Sequence, residues 1–232
     1  MLRVEAVDTY YAETRILKEV SFTVGPGQIV AILGRNGAGK TTLLRSIMGL
    51  TPPRSGKIRF QDRDITGLPT YAIAALGIGY VPQGRHIFPR LSVAENLRLG
   101  ALMRRSGPPT VPAEVFEHFP ILKERLAQPG GTFSGGEQQM LAIARALVGE
   151  PELMLLDEPS EGLQPTVVEL MTGIIQRVRR DREVSILLVE QNLGFARDLA
   201  DHYYVMESGT VVLQGPAREL ENEEAVTQYL AV

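Results

Sequence analysis

The stretch that decides the fold of this chain is GRNGAGKT, residues 34–41. It fits the pattern G-x-x-x-x-G-K-[ST], in which glycines let the backbone wrap closely around phosphate oxygens. The apolar residues 28–33 before it are typical of a buried strand, and residues 42–48 after it have the apolar spacing of a helix. A strand, a glycine-rich loop and a helix in this order predict a phosphate-binding loop. The alternative is a glycine-rich turn that fits the pattern by chance.

The chemistry of this loop follows from its residue types. The helix N-terminus adds partial positive charge where phosphate oxygens would lie. We expect Lys40 to reach the β- and γ-phosphates of a nucleotide, and the Thr41 hydroxyl to bind Mg²⁺. The residues predicted to contact nucleotide here are Gly34, Arg35, Asn36, Gly37, Ala38, Gly39, Lys40, Thr41 and Thr42.

Composition limits what else the chain could be. Its 232 residues suit one large domain, and a hydrophobic content of 44% is ample for a core. A net charge of −3 gives no reason to expect a nucleic-acid-binding surface, and the absence of cysteine excludes disulfides and thiolate metal sites. An acid at Glu5 argues against a signal peptide, and no apolar run is long enough to predict a membrane span.

Apolar strands alternate with helical segments along most of the chain, which predicts an α/β fold with a mostly parallel, covered sheet. Strands are predicted at residues 2–7, 17–24 and 57–60 in the N-terminal part, with a loop at 10–14. Residues 84–132 are predicted to be a helical insertion, because Ser92 and Glu95 form a capping box and residues 114–126 have a helical pattern. A last helix is predicted at residues 219–230.

Two acids, Asp157 and Glu158, follow the apolar residues 153–156. Open α/β sheets bind ligands at the carboxyl ends of their strands. Asp157 would suit Mg²⁺ there, and Glu158 would suit polarising an attacking water. The alternative is a pair of surface acids in a loop.

A second glycine-rich helix start lies at Ser134, Gly135 and Gly136. Glu137 stands three residues after Ser134, so helix capping alone explains part of the pattern. A helix N-terminus with close glycines also binds anions. One chain would then have two phosphate-binding helix ends and one lysine, which suggests a nucleotide held between two subunits.

In their order along the chain, residues 34–41, Gln83, residues 134–138 and residues 153–158 resemble the motifs of ATP-binding-cassette (ABC) ATPases. The resemblance covers nearly the whole chain. It implies one P-loop NTPase domain of ABC type over 1–232, with a RecA-like core and an N-terminal antiparallel β portion in 1–83 and 133–232, and a helical subdomain in 84–132. It implies ATP and Mg²⁺ as ligands. Tyr11 would stack on adenine, Gln83 would bind Mg²⁺, and Ser134 with its glycines would contact the ATP held by a partner.

Within the family, residues 81–85, 88–91 and 134–141 look like the smaller ATPase of importers for branched-chain amino acids, amides and urea. Residues 161–165, 189–191 and 229–232 look most like the urea-type member. The resemblance implies two transmembrane permease subunits, a second ABC ATPase (paralogous or identical), a periplasmic or lipoprotein solute-binding protein and no nucleic acid. It places the chain peripherally on the cytoplasmic face of the inner or plasma membrane. Residues 83–91 are the expected permease contact.

Three positions depart from the family pattern: Phe133 replaces a leucine, Gln164 an aspartate and Gln191 the histidine of the switch loop. We expect Glu158 and Lys40 to be catalytic and Gln191 to position the γ-phosphate. Alternatively, Gln191 points away and Asn192 only caps the next helix. Rival functions are an ABC ATPase acting on ribosomes or DNA, and a non-hydrolysing regulatory cassette.

Overall fold

The computed structural model describes residues 1–104 and 109–221, together with Val226 and Gln228. The described strands form two sheets. A four-stranded antiparallel sheet has the order β2-β1-β4-β5, from β1 (Leu2–Tyr11), β2 (Thr14–Val24), β4 (Ser55–Phe60) and β5 (Arg63–Asp64). It supplies the N-terminal antiparallel portion that the sequence predicted.

The second sheet has six strands in the order β10-β9-β3-β8-β7-β6. They are β3 (Ile29–Leu33), β6 (Ile78–Val81), β7 (Leu153–Asp157), β8 (Ser185–Glu190), β9 (His202–Glu207) and β10 (Thr210–Pro216). All neighbours pair in parallel except β10, which runs antiparallel to β9. Every residue of β3, β7 and β8 is buried, as expected for strands covered on both faces.

This sheet separates two apolar cores, because successive side chains of a strand point to opposite faces. Met154 and Leu156 of β7 join one core, while Leu153 and Leu155 join the other. The first core contains α3 (Val93–Ala101), α6 (Gly135–Val148) and α7 (Pro165–Arg182). The second contains the antiparallel sheet and α1 (Lys40–Ile47). The strand ends that carry polar residues are thereby fixed between two packed layers.

The remaining helices are α2 (Thr70–Ala75), α4 (Ala113–His118), α5 (Pro120–Glu124) and α8 (Leu193–Leu199), with 3-10 turns at Gly130–Thr132 and Ala217–Glu221. The single helix predicted over 114–126 is wrong, since it divides at Phe119 before Pro120, which has no N–H for a continuing helix. The sequence did not predict α2. The helix predicted at 219–230 lies mostly outside the described residues.

The hairpin of β1 and β2 also differs from its prediction. β1 continues to Tyr11, so the predicted loop at 10–14 shrinks to the turn between the two strands. The register shifts between Val4 and Val7, where Ala6 has a φ of 46°. The pairing of β1 with β4 also shifts here, between Glu5 and Asp8, so the two shifts mark a bulge in this strand.

Helices α3, α4 and α5 all lie between β6 and α6 in the chain. Their position agrees with a helical insertion, while the division at 84–132 stays a prediction. Within the described residues, no helix is both long and apolar enough to cross a bilayer.

Candidate functional site

The predicted phosphate-binding loop joins the end of β3 to the start of α1. Gly37 and Gly39 have φ angles of 83° and 107°, in the left-handed region that favours glycine. A Cβ on Gly34 would lie 2.6 Å from the carbonyl oxygen of Met206, so only glycine fits there. Gly39 is the N-cap residue of α1. Because it has no side chain to accept a hydrogen bond, it does not compete with a ligand for the first N–H groups of the helix.

A cavity of about 440 Å³ lies beside this loop. Tyr11, at 44% exposure, stands at its edge together with Gln83 and Glu158. The structure therefore brings together three residues that the sequence predicted as one site. The full lining is Tyr11, Ile16, Asn36, Gly37, Gly39, Lys40, Thr41, Thr42, Gln83 and Glu158.

Lys40 is buried and makes three contacts with its ammonium group. Its Nζ donates to the carbonyl oxygens of Gly34 at 2.7 Å and Arg35 at 3.0 Å. It also lies 2.9 Å from Oε1 of Glu158, and both side chains of this pair are less than a tenth exposed. The lysine thus connects the loop to the acid that follows β7.

Glu158 holds a backbone conformation that is unusual for its residue type. Its φ is 47°, which costs a non-glycine residue about 1–3 kcal/mol. Its N–H donates to the carbonyl oxygen of Val189 at 3.0 Å, which fixes this turn against β8. Its Oε2 accepts a hydrogen bond from Nε2 of Gln83 at 3.3 Å, and the same amide nitrogen donates to Glu161 at 2.9 Å.

Asp157 is 1% exposed and both of its oxygens are hydrogen-bonded. Oδ1 accepts from the Thr41 hydroxyl at 3.0 Å, and Oδ2 accepts from the Tyr80 hydroxyl at 3.0 Å. Burial raises the pKa of Asp157, and the bonds from Thr41 and Tyr80 oppose that rise. Hydroxyl and carboxylate oxygens are the hard donors that Mg²⁺ prefers, so the residues here fit that ion.

Sequence reasoning did not single out Tyr80 as a site residue. Burial, followed by the charge of Asp157, raises the pKa of the Tyr80 phenol, so the phenol stays a donor. β6 pairs with β7 through Tyr80 and Leu155, and this pairing brings the phenol to Asp157. A polar aromatic residue near the end of a strand was the available signal, but the order of the strands was needed to use it.

Gln191 follows β8, which runs beside β7 as expected. It lines a cavity of about 320 Å³ with Asn36, Glu158, Ser160, Glu161, Glu190 and Asn192. Asn192 Oδ1 accepts from the N–H of Phe195 at 3.1 Å and so caps α8. The cap predicted as the alternative is present, and Gln191 still lies beside Glu158.

Sequence reasoning also missed Glu190, which is 2% exposed in the structure. Burial raises its pKa, and hydrogen bonds from Ser160, Asn192 and Gln191 oppose the rise. A glutamate ending an apolar strand is equally typical of a solvated loop, so the sequence contained little sign of its burial.

Ser134, Gly135 and Gly136 lie at the start of α6, and the cavity beside Lys40 is lined by other residues. Ser134 and Glu137 form a complete capping box, with Ser134 N–H donating to Glu137 Oε2 at 2.8 Å. That backbone hydrogen bond lowers the pKa of Glu137, while partial burial opposes it. Within one chain, the two glycine-rich helix starts are therefore separate surfaces.

Comparison with known proteins identifies the family of the chain. The family model described as ABC transporter matches residues 17–161. The chain is 45% identical over 232 residues to the high-affinity branched-chain amino acid transport ATP-binding protein BraG of Pseudomonas aeruginosa, with 99% of each chain covered. It is 38% identical over 232 residues to the probable branched-chain amino acid transport ATP-binding protein LivF of Archaeoglobus fulgidus, with 97% and 95% covered.

A solved structure is also similar. It is the crystal structure of the ADP conformation of an ATP-binding cassette of an ABC transporter, with a TM-score of 0.86 and 25% identity over 99% of this chain and 97% of that one. The names of these relatives do not mention urea, so they give no support to the urea-type resemblance predicted from the sequence.

Proposed function

The chain belongs to the ABC transporter ATPase family, and from that membership we propose that it is the ATP-hydrolysing subunit of an importer for branched-chain amino acids. The contact of 2.9 Å between Lys40 Nζ and Glu158 Oε1 carries the proposal for this site, because it joins a phosphate-binding cation to a candidate base. The solute class rests on the names of the two relatives.

The contacts of Lys40 suggest how ATP is received. The ammonium group already has three oxygen partners, and phosphate oxygens would replace some of them. Once Lys40 turns to the β- and γ-phosphates, Oε1 of Glu158 loses its cation. The carboxylate is then available to accept a hydrogen bond from the attacking water and to polarise it.

The metal would lie between Thr41 and Asp157, whose oxygens are 3.0 Å apart. Gln83 is proposed as a further metal ligand. Its side-chain amide donates to Glu158, and its backbone N–H donates to the Asp157 carboxylate. Mg²⁺, when bound, supplies positive charge that neutralises the β- and γ-oxygens of ATP. Tyr80 holds the Asp157 carboxylate so that Oδ1 faces Thr41.

We assign the start of α6 to the ATP held by a second cassette. Ser134, Gly135 and Gly136 lie on a separate surface from the cavity beside Lys40, so a nucleotide could touch both helix starts only between two chains. Helix N-termini favour anions, which suits a γ-phosphate. The second cassette is a paralogue or an identical chain, and the relatives leave this choice open.

A groove between α2, β6, α3 and α6 is the proposed contact for a permease subunit. Its cavity of about 440 Å³ is mainly apolar, and Phe88, Tyr71 and Met103 expose apolar surface in or near it. Arg145 Nη2 donates to the His86 carbonyl oxygen at 2.8 Å, which connects the groove to the loop after Gln83. A short amphipathic helix of a membrane subunit fits such a groove. Residues 83–91 were the expected permease contact, and of these Phe88 is the one that lines the groove.

The proposal is tested by transport and by hydrolysis. A strain lacking this gene should lose uptake of labelled leucine, keep uptake of urea, and regain leucine uptake with the wild-type chain but not with Lys40→Ala. Loss of urea uptake with normal leucine uptake would overturn the solute class. Wild-type ATP hydrolysis by purified Lys40→Ala would overturn the site.

A further inference from the structure

Glu190 ends β8 and bonds to three loops of the candidate site. Its backbone carbonyl oxygen accepts from the N–H of Gly34, at the start of the phosphate-binding loop, at 3.2 Å. Its carboxylate Oε1 accepts from the N–H of Ser160 at 2.9 Å. Its Oε2 accepts from the N–H groups of Gln191 at 3.1 Å and Asn192 at 3.2 Å.

These bonds explain how a carboxylate can be buried at this position. Glu190 is 2% exposed, and an ionised carboxylate removed from water needs several donors to remain charged. Backbone N–H groups from two separate loops supply them. If either loop moved away, it would leave part of a buried charge without a partner, so the two loops are held in one arrangement.

Both loops border the same cavity. Ser160 stands two residues after Glu158, Gln191 directly follows Glu190, and all of them line the cavity of about 320 Å³. Residues 159–164 lie between Glu158 and α7 in the chain. A shift of that loop must displace the carboxylate of Glu190 and, through Oε2, the backbone at Gln191.

We propose that Glu190 is a positioning residue that couples the loop at Ser160 to Gln191. The inference rests on the proposed role of Gln191 in the site. The Glu190 carboxylate holds the backbone of Gln191 in position, and it can do so only while it is also bonded to the N–H of Ser160. The position of Gln191 would then depend on the position of the loop that follows Glu158.

The amide of glutamine has nearly the same shape as the carboxylate but accepts through one oxygen only. In Glu190→Gln, its NH₂ group must therefore face the N–H of one of the two loops. That loop should move and loosen the other loop, because both are bonded to the same side chain, while β8 and the phosphate-binding loop keep their backbone bonds. We expect kcat to fall about tenfold and KM for ATP to stay within about twofold. The exposed acid Glu169 of α7 gives a control variant, Glu169→Gln, which should keep wild-type kcat.

A double-mutant cycle separates coupling from general damage. In a Gln191→Ala background, Glu190→Gln should slow turnover at most about threefold, because part of its effect has already been removed. Equal tenfold losses in both backgrounds would overturn the inference. Glu190→Asp, which keeps the charge but shortens the reach by about 1.5 Å, serves as the second variant should the glutamine variant not fold. It should also lower kcat, and wild-type kcat would count against the coupling.

Hydrogen exchange on the purified chain gives a readout independent of turnover. Glu190→Gln should speed exchange at Ser160 as well as at Gln191 and Asn192, with β8 unchanged. A change confined to residues 191–192 would contradict a link to the other loop. Glu158→Gln is measured beside these variants: if it hydrolyses ATP normally, the proposed site fails. If Glu158→Gln is inactive but Glu190→Gln slows turnover by the same factor with and without Gln191→Ala, only the proposed coupling fails.

Discussion

Two helices of this chain begin with glycine-rich turns, and they satisfy their first N–H groups differently. α1 follows Gly39, which has no side-chain cap, and its first residue, Lys40, bends back onto the loop carbonyls and Glu158. α6 follows Ser134, which forms a complete capping box with Glu137. The start of α1 is thus prepared for a ligand by the rest of its own chain. The start of α6 is stabilised by its own capping box, and the guanidinium of Arg85 lies beside Gly135.

The difference indicates how the proposed composite site would be divided between two cassettes. Lys40, the proposed metal ligands Thr41 and Asp157, and the proposed base Glu158 lie together around α1 and contact one another. α6 contributes helix-end N–H groups and a hydroxyl, which keep their geometry without a ligand. We therefore expect changes around α1 to affect ATP binding or chemistry within a chain. Changes at α6 should affect what happens between chains.

The largest effect is expected for Lys40→Ala. Removing the ammonium group deletes the cation for the β- and γ-phosphates and leaves Glu158 without its partner. Turnover should fall at least about 100-fold, and ATP affinity should fall with it. Release of phosphate and fluorescent ATP binding by the purified variant measure the two quantities. Wild-type turnover would remove the phosphate-binding role from this loop.

Glu158→Gln should separate binding from chemistry. The amide keeps the size of the side chain but loses the carboxylate that polarises water. We expect ATP binding within about threefold of wild type and turnover lower by about 100-fold. Full hydrolysis by this variant would show that another group acts as the base.

Ser134→Ala should lower turnover about tenfold while leaving ATP affinity of the single chain unchanged. The hydroxyl would be lost from the partner's nucleotide, and the cap from α6, at a cost of about 1 kcal/mol of stability. α3 offers a matched control, because Ser92 and Glu95 form the same capping box away from the site. Ser92→Ala should lose similar stability but no turnover. Equal loss of turnover in both variants would show that the capping box of α6 only stabilises its helix.

Gln191→Ala should have a smaller effect than Glu158→Gln, about three- to tenfold, since a neutral amide gives the γ-phosphate a weaker hydrogen bond than a charged group. Position 191 should add no step to the pH profile of turnover between about 6 and 7, and Gln191→His should introduce one. Turnover and ATP affinity equal to wild type in the alanine variant would exclude Gln191 from the site.

The smallest effect concerns the stability of the α6 cap. The hydrogen bond from Ser134 N–H holds the pKa of Glu137 below its usual value. The carboxylate therefore stabilises the fold above the pKa of the unfolded state, near 4.3, and this contribution is lost as pH falls through the lower folded pKa. Glu137→Gln should lower the unfolding free energy by about 1 kcal/mol at pH 7, and the difference should vanish in acid. Urea unfolding at several pH values measures it, and a pH-independent difference would contradict the cap.

The sequence could predict the parts of this site that are local in the chain. The strand, loop and helix around residues 34–41, the acids after β7 and the capping box of α6 all depend on neighbours within a few residues. Tyr80 was missed because its partner Asp157 lies on another strand, β7. Glu190 was missed because Ser160 reaches it from the loop after β7, and only the order β8-β7-β6 brings these residues together. α2 was missed because six residues after Pro69, without a capping side chain, give too little pattern. The solute class could not be predicted from these residues, because the resemblance rests on scaffold motifs that are not solute contacts, and the names of the relatives give no support to urea.

The proposed composite site is tested most directly by light scattering of Glu158→Gln with ATP and Mg²⁺, alone and mixed with a candidate paralogous cassette from the same organism. In the productive pairing the particle mass should rise from the single-chain value of 25.5 kDa to that of a two-cassette complex. The double variant Glu158→Gln/Ser134→Ala should bind ATP equally well and need about tenfold more of it to pair. Pairing that is absent in every mixture, or that is identical in the two variants, would contradict a nucleotide shared between α1 of one chain and α6 of another.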